Sequence, residues 1–231
     1  MTPVELVQDF EALSADAIVE RVLAENGGSP CITCSFQAED MIVLDLLRKR
    51  LPEIPVLFLD TGYHFAETYA YRDRMAKLWK LNVQNLAAKQ SVADQESQFG
   101  ILNRTDPGRC CDLRKVAPLF AGLQPFDIWF TGLRREQSPT RKNLKIVEHH
   151  ELPTGKILLK VSPLAAWTWG DVWKYTAENK IEYLPFYDAG YRSIGCEPCT
   201  SIPVEGADPR SGRWGGAKLE CGIHTASKRT D

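Results

Sequence analysis

The chain has 231 residues, 44% of them hydrophobic, which is enough for a domain with a full core and excludes a disordered or collagen-like protein. Its 28 basic and 30 acidic residues give a formal net charge of −2, so the whole chain attracts neither nucleic acid nor an anionic membrane. No apolar run is long enough to cross a bilayer, and the acidic, amphipathic N-terminus lacks the pattern of a signal peptide. We therefore predict a soluble cytoplasmic protein in which any anion site is local.

Strand and helix patterns alternate between residues 31 and 180, which predicts a doubly wound α/β fold with a mostly parallel sheet. The predicted strands are 31–34, 55–60, 81–86, 126–132 and 157–164, and the predicted helices are 4–25 in two pieces, 39–50, 65–79, 110–121 and 168–180. Residues 87–109 and 134–155 are predicted to be irregular. Regular patterning ends at Leu184, so we expect an α/β domain of residues 1–184 followed by an irregular C-terminal segment, 185–231.

Polar residues follow three of the predicted strands, beginning at Ser35, at Asp60 and at Thr131. The carboxyl ends of parallel strands form the ligand-binding edge of such sheets, so we expect these residues to converge. Residues 35–40, SFQAED, join a strand to a helix N-terminus, where backbone N–H groups and a hydroxyl favour a phosphate. The sequence has neither a Walker motif nor GxGxxG, which excludes the common P-loop and dinucleotide sites.

Seven cysteines in a chain of this type argue against a disulfide framework and for metal-binding or catalytic thiols. Cys110-Cys111 and Cys196-x-x-Cys199 supply four thiolates, which suit a [4Fe–4S] cluster or a Cys₄ zinc site. Neighbours on a helix point roughly 100° apart, so the adjacent pair needs a locally strained backbone or a large centre. A centre with several irons therefore fits better than one zinc ion.

The other three cysteines fall into two classes. Cys31 and Cys34 are three apart in a predicted strand and face opposite sides, so we predict that they are buried and bind no metal. Cys221 stands alone in the sequence ECGIH, with Lys218 and His224 close by. Cations near a thiol lower its pKa, which makes Cys221 a candidate nucleophile, whereas a lone cysteine in a tail is otherwise incidental.

Local groups of basic residues stand out in this weakly acidic chain. They are Arg134 and Arg135, Arg141 and Lys142, and Arg210 and Arg213. Guanidinium groups suit sulfate and phosphate oxygens, although solvated loop charge is the ordinary alternative. His149 and His150 fall in the predicted loop 134–155, and we expect both to be exposed.

These motifs together resemble the family of assimilatory adenylyl-sulfate (APS) and phosphoadenylyl-sulfate (PAPS) reductases. The matching stretches are SFQAED (35–40), LDTGYHFAET (59–68), CCDLRKVAPL (110–119), TGLRREQSPTR (131–141), SPLAAWTWGDVWKY (162–175), GCEPCT (195–200), RSGRW (210–214) and ECGIH (220–224). They cover most of the chain in order. Within that family the two Cys pairs are typical of the cluster-bearing branch, which the resemblance associates with APS as substrate.

The resemblance implies an adenine-nucleotide α-hydrolase-like sheet, a [4Fe–4S] cluster on the two Cys pairs, and thioredoxin or a glutaredoxin-like protein as reductant. It makes Cys221 the nucleophile that attacks the sulfate sulfur, giving an S-sulfocysteine from which thioredoxin releases sulfite. The substrate-binding residues that it implies are Ser35, Phe36, Asp60, Thr61, Gly62, Lys115, Arg134, Arg135, Arg210, Arg213 and His224. Lys115 would put positive charge between the cluster and the phosphosulfate.

Three other functions remain open at the level of sequence. A PAPS reductase of the same family needs a site for the 3′-phosphate, and the Cys quartet weighs against it. An ATP pyrophosphatase relative carries the loop SGGxDS, from which Gln37, Ala38 and Glu39 depart. A Cys₄ zinc-binding regulator of nucleic acid would need a long basic stripe that this chain lacks. A homo-oligomer is neither indicated nor excluded.

Overall fold

The computed structural model describes residues 10–204, 206, 208–216, 218 and 220–224. Six strands form one sheet, with every neighbouring pair parallel except β5 and β6. The strands are β1 Pro30–Thr33, β2 Pro55–Asp60, β3 Asn82–Ala87, β4 Ile128–Phe130, β5 Val147–Glu151 and β6 Ile157–Val161, in the spatial order β3-β2-β1-β4-β6-β5. The predicted α/β class and mostly parallel sheet are confirmed.

Eight α-helices connect or flank the strands in the described part of the chain. They are α1 Ala15–Glu25, α2 Ala38–Arg48, α3 Ala66–Trp79, α4 Val92–Phe99, α5 Leu102–Thr105, α6 Pro107–Cys111, α7 Ala117–Leu123 and α8 Trp169–Glu178. Ser14 caps α1 by accepting a hydrogen bond from the Ala17 backbone nitrogen. The first part of the predicted helix 4–25 lies mostly outside the described residues. None of the described helices combines the length and apolarity needed to cross a membrane.

Two of the predicted irregular regions contain regular structure. Helix α4 begins at a Ser91 cap inside the region 87–109, and only Gln95 on it is buried, so its sequence carries no apolar periodicity. Strand β5 lies inside the region 134–155 and pairs antiparallel with β6. Its sequence, VEHHE, is too polar to resemble a strand, but His150 turns inward against Trp129 at 5.3 Å between ring centroids. The expectation that His150 is exposed was wrong, since it is buried.

Alternate residues of the central strands supply two separate cores, one on each face of the sheet. Ile32 packs in the larger core with α1, α2 and α8, while Cys31 packs in the smaller core with α7. Cys34, just beyond β1, belongs to the larger core. The predicted splaying of Cys31 and Cys34 to opposite faces is therefore confirmed, and both thiols are buried.

The C-terminal segment packs on the loop between β1 and α2. Its described part contains only short 3₁₀ helices, as an irregular segment would: Pro185–Tyr187, Glu197–Cys199 and Trp214–Gly216. Tyr187 Oη accepts a hydrogen bond from the Ala38 backbone nitrogen at 3.1 Å, and the Ile194 nitrogen donates to Gln37 Oε1 at 2.8 Å. These contacts anchor the segment at the carboxyl edge of the sheet.

Candidate active site

A cavity of about 380 Å³ opens at the carboxyl edge of the sheet. It is lined by residues that follow β1, β2 and β4, by Trp169 at the start of α8, and by parts of the C-terminal segment. The chain adds β2 and β3 on one side of β1 and then crosses to β4 on the other side. Doubly wound sheets bind ligands at this crossover, and the volume is in the range of small-molecule sites.

Asp40, in the first turn of α2, lines the cavity. Its carboxylate accepts hydrogen bonds from the Ser35 backbone nitrogen at 2.7 Å and from Ser35 Oγ at 2.6 Å. The exit of β4 comes so close that a Cβ on Gly132 would lie 2.4 Å from Asp40 Oδ1, a distance that no side chain tolerates. The close approach requires glycine at position 132. Ser35 lines the cavity, as expected.

Arg134 lines the cavity too, but protein groups hold its guanidinium. Nε and Nη2 donate to Glu39 Oε1 at 3.1 and 2.9 Å, and Nη1 donates to Glu136 Oε2 at 2.9 Å and to the Trp167 carbonyl at 3.2 Å. The Arg134 and Glu39 side chains are both almost fully buried. Buried charges persist only when paired in this way, so the ion pair fixes the exit of β4 against the start of α2.

Two residues expected at the substrate lie away from the cavity. Arg135 donates to both carboxylate oxygens of Glu11 and to the Leu144 carbonyl, which directs it toward the N-terminal part of the chain. Phe36 is fully buried behind the loop, and its ring meets Phe58 edge-on at 5.8 Å. Neighbouring residues in a loop point in different directions, which the sequence motif alone did not distinguish.

The turn after β2, formed by Asp60, Thr61 and Gly62, likewise does not line the cavity. Thr61 faces the cysteines instead, whereas Asp60 Oδ1 accepts hydrogen bonds from Tyr69 Oη at 2.7 Å and from the Gly62 nitrogen at 3.1 Å. Thr61 Oγ1 accepts a hydrogen bond from Cys196 Sγ at 3.3 Å, and the Thr61 carbonyl accepts one from Arg114 Nε. In this structure the turn therefore supports the region of the cysteines rather than the wall of the cavity.

Arg210 and Arg213 reach the cavity from the C-terminal segment. Each donates from Nη1 to Ser193 Oγ at 3.4 Å, and the guanidinium of Arg213 lies 4.6 Å from the centroid of the Trp214 ring. A Cβ on Gly195 would lie 2.1 Å from Arg213 Nη2, so the guanidinium fills the space above that glycine. Burial lowers the pKa of Arg210 to about 10, helped by Arg141, yet leaves it charged at neutral pH. The two arginines can meet an anion here.

Lys115 lines both this cavity and a smaller one beside it. It lies on a π-helical turn, Asp112–Val116, between α6 and α7, so the backbone leaves α-helical geometry directly after the adjacent cysteines. Burial would lower the pKa of Lys115, but the thiols of Cys196 and Cys221 outweigh it and raise the pKa. The expected position of this charge between the cysteines and the cavity is what the structure has.

Cys221 and His224 line the cavity on the C-terminal segment. Cys221 is partly exposed and packs against a cluster formed by Cys111, Cys196, Cys199 and Trp214. The His224 ring stacks on Trp129, with centroids 5.5 Å apart and planes inclined by 18°. Burial holds the pKa of His224 well below its ordinary value, so the ring is neutral. The stack fixes the position of His224, three residues after Cys221, at the wall of the cavity.

Four buried cysteines line the smaller cavity: Cys110, Cys111, Cys196 and Cys199. The second pair reaches this place because His64 and Cys196 form a backbone bridge and the Glu197 nitrogen donates to the Tyr63 carbonyl at 2.7 Å. Burial and the neighbouring thiols raise the pKa of Cys110 to about 11. Burial also raises the pKa of Cys111 and Cys199, whereas the charge of Lys115 and the hydrogen bond to Thr61 overcome burial and lower the pKa of Cys196.

The four cysteines do not form a site for a single ion. Across the described residues, no three His, Cys, Asp or Glu side chains lie close enough together to hold one metal ion. A [4Fe–4S] cluster has four irons, and each thiolate binds a different one, so its ligands surround a volume rather than a point. Four thiols around one shared cavity are the donor type that a four-iron cluster takes.

The sequence analysis assigned no role to Glu39 or Asp40, which both matter for this geometry, and it named Arg141 only among the local basic residues. All three lie in stretches that it quoted, and all three line the cavity. The available signal for Asp40 was an acidic residue at the first turn of an otherwise apolar helix, where a carboxylate can accept backbone hydrogen bonds from the preceding loop.

Stability should depend on pH through Asp40. Burial, with a smaller effect of Glu39, raises the pKa of Asp40 to about 6 against the hydrogen bonds from Ser35, so the folded protein binds this proton more tightly than the unfolded chain does. This contribution to stability is present below about pH 4 and is lost as the pH rises to about 6. Relative to Asp40→Asn, the wild type should lose roughly 1–3 kcal/mol over that window in denaturant titrations.

Asp45, on the same helix, provides the matched control. Hydrogen bonds from Lys49, Arg48 and Tyr175 lower its pKa, although burial opposes them. Its contribution is therefore lost as the pH falls, so wild type minus Asp45→Asn should show the opposite trend. An Asp40→Asn difference that stays flat between pH 4 and 7 would contradict the assignment.

The chain was compared with known protein families and curated proteins. Residues 29–202 match the phosphoadenosine phosphosulfate reductase domain. The chain is 47% identical over 200 residues to adenosine 5′-phosphosulfate reductase of Mycobacterium tuberculosis H37Rv, covering 84% of this chain and 78% of the relative. It is 42% identical over 228 residues to the protein of the same name from Mycolicibacterium smegmatis, covering 96% and 94% of the two chains.

Solved structures show the same fold at lower sequence identity. PAPS reductase from Candida auris, in a phosphate complex, superposes with a TM-score of 0.69 at 24% identity, covering 82% of this chain and 91% of that one. FMN adenylyltransferase from Candida glabrata, with FMN and an ATP analogue, gives a TM-score of 0.57 at 13% identity over 81% and 64% of the chains. The fold is thus that of adenine-nucleotide α-hydrolase-like proteins. The family match and the sequence identities show that the chain belongs to the family of adenylyl-sulfate and phosphoadenylyl-sulfate reductases, which are oxidoreductases that act on sulfur groups.

Proposed function

We propose that the chain reduces adenylyl sulfate to sulfite and AMP in sulfate assimilation, the route to cysteine. The observation that carries the proposal is the convergence of Cys221, Lys115, Arg210 and Arg213 on one cavity at the nucleotide-binding edge of an α/β sheet. A thiol beside three cations can attack a bound anion that would otherwise repel a thiolate. The sequence relationship to adenosine 5′-phosphosulfate reductases supports APS as the substrate.

The substrate has a preferred direction in this cavity. Its sheet side is formed by residues after β1, β2 and β4, with apolar surface from Leu57 and Leu59, which suits the adenosine. Its other side carries Lys115, Arg210 and Arg213, which suit the phosphate and sulfate oxygens. Arg134 is already held by Glu39, so its role in this proposal is to position the loop.

The first chemical step is attack by the Cys221 thiolate on the sulfate sulfur. A bond forms between Sγ and the sulfate sulfur, and the bond from that sulfur to the bridging phosphate oxygen breaks. AMP leaves with the electron pair, and Cys221 carries an S-sulfo group. We assign to Arg210 and Arg213, which line the same cavity, the role of stabilising the negative charge that develops on AMP.

The second step needs a dithiol reductant, for which we propose thioredoxin or a glutaredoxin-like protein. Its thiolate attacks Cys221 Sγ, sulfite leaves with the electron pair of the broken S–S bond, and a mixed disulfide remains. The second thiol of the reductant then displaces Cys221, so the two electrons come from the dithiol. Cys221 is partly exposed, which supports access by a partner.

Free buried cysteines also favour a reducing compartment, the cytoplasm.

We propose that Cys110, Cys111, Cys196 and Cys199 hold a [4Fe–4S] cluster. Such a cluster, when bound, supplies a fixed charge and a rigid link between the two cysteine pairs, and the proposed electron flow does not pass through it. Lys115 keeps its charge between those cysteines and the substrate cavity. Thr61 binds Cys196 through its hydroxyl, and Arg114 holds Thr61 by donating a hydrogen bond to its carbonyl.

APS should be strongly preferred over PAPS. The preference rests on the relatives named APS reductase and on the four cysteines. The two substrates differ in the 3′-phosphate, which PAPS carries and APS lacks. Sulfite release from each nucleotide, with excess thioredoxin and thioredoxin reductase, gives the two values of kcat/KM. Comparable values would refute the preference and favour the PAPS alternative.

Cys221 should carry the covalent intermediate. Incubation with APS and no reductant should add about 80 Da, the mass of SO₃, to the peptide with Cys221, together with one burst of AMP. Cys221→Ser should bind AMP normally and lose sulfite release almost completely. Cys34→Ala is the matched control, because Cys34 also lines the cavity but is buried, and burial raises its pKa well above the ordinary value. Mass added at another cysteine would overturn the mechanism.

Replacing any of the four proposed cluster ligands with Ser should bleach the protein and abolish activity. An anaerobic preparation of the wild type should absorb near 400 nm and contain about four irons per chain, which a zinc protein would not. The double variant Cys31→Ala and Cys34→Ala is the control and should keep its iron, because its two thiols pack in separate cores. A colourless wild type with full activity would contradict the cluster.

A further inference from the structure

Glu220, the residue before Cys221, is paired with a loop on another part of the chain. Arg141 donates to it in a bidentate manner, from Nε to Oε1 at 2.9 Å and from Nη2 to Oε2 at 2.8 Å. Thr140 Oγ1 donates to Oε1 at 2.9 Å, and Arg210 Nη2 lies 3.7 Å from Oε2. Three groups therefore converge on one carboxylate, and two of them come from the 3₁₀ helix Pro139–Arg141.

This pair differs from an ordinary surface ion pair. The side chains of Arg141 and Glu220 are only 10% and 14% exposed, and bidentate Arg–carboxylate geometry is the strong form of such contacts. Burial would raise the pKa of Glu220, but the hydrogen bonds and charge of Arg141 and the charge of Arg210 hold it below the ordinary value. Glu220 is therefore ionised at neutral pH.

The pair is also joined to the floor of the cavity. Arg141 Nη1 donates to Gln137 Oε1, and Gln137 Nε2 donates to Glu39 Oε1 at 3.1 Å. Glu39 is the buried partner of Arg134. A continuous set of polar contacts thus runs from the start of α2 to the residue beside Cys221, so the position of Glu220 is set by the rigid part of the fold.

We propose that Glu220 is a positioning residue that docks the segment of residues 220–224 and thereby holds Cys221 Sγ at the cavity. The inference rests on the proposed role of Cys221 as nucleophile. Cys221 must face the substrate in one step and a protein reductant in the next, so the docked state has to be stable yet able to open. The strength of the Glu220–Arg141 pair sets the fraction of protein in which the segment is docked.

The rate at which iodoacetamide alkylates Cys221 without substrate measures docking directly. Removing the charge of Glu220 also favours the Cys221 thiolate, whereas removing the charge of Arg141 disfavours it. Glu220→Gln and Arg141→Met therefore have opposite electrostatic effects, but both break the pair. If the pair docks the segment, both variants should be alkylated faster, by about tenfold for loss of a charged hydrogen-bonded pair.

Two further variants complete the design. Glu220→Asp keeps the charge, but its side chain is too short for the bidentate contact, so Cys221 should also be alkylated faster in this variant. If Arg141→Met does not fold, Glu220→Asp takes its place in the test. Glu11→Gln breaks a bidentate pair with Arg135 that lies away from the cavity, and it should react at the wild-type rate. Peptide mapping assigns the alkylated cysteine in each case.

Catalysis gives a second readout. Glu220→Gln should lower kcat/KM for APS by about tenfold, while the Kd for AMP stays unchanged because AMP carries no sulfate for Cys221 to meet. Slower or unchanged alkylation of Arg141→Met, or of Glu220→Asp where Arg141→Met does not fold, would overturn the docking role. Failure of the proposed function is distinguishable, since it would appear as normal turnover by Cys221→Ser, whatever the alkylation rates are.

Discussion

The buried ion pair between Glu39 and Arg134 is the interaction on which the rest of the site depends. It joins the start of α2, the helix that follows β1, to the exit of β4, and β1 and β4 are the strands between which the chain crosses from one half of the sheet to the other. A buried pair of this kind contributes little net stability, but removing one partner leaves an uncompensated charge, so it enforces a single arrangement of the two loops. Gln137 then transmits that arrangement from Glu39 toward Arg141.

The stretch SFQAED also holds the C-terminal segment. Gln37 and the Ala38 nitrogen bind the C-terminal segment, at Ile194 and Tyr187. The Ser35 hydroxyl and nitrogen are directed at Asp40. Backbone and side-chain groups that would otherwise surround a phosphate are thus used to hold the segment that brings the cations and Cys221 to the cavity.

The fold could be predicted where apolar runs reflect burial, as in β4, whose three residues are all buried, and in the middle of β2, where Val56, Leu57 and Phe58 are buried. The prediction was wrong where the structure uses polar sequence: α4 has one buried residue, and β5 becomes a strand by pairing with β6. For the site, the motifs gave the right stretches but not the directions of side chains. Arg135 and Phe36 point elsewhere because position within a loop depends on tertiary contacts such as the pair with Glu11.

The separation of the two cysteine pairs along the chain has a consequence for how the protein is made. Cys110 and Cys111 leave the ribosome before Cys196, and contacts with residues after β2, among them the backbone bridge between His64 and Cys196, bring the second pair to the first. Because synthesis proceeds from the N-terminus, the thiol cavity is completed last, after the sheet that supports it. During that interval the first two thiols lack the partners that complete their cavity, so the yield of functional protein should depend on the timing of maturation as well as on the stability of the finished fold.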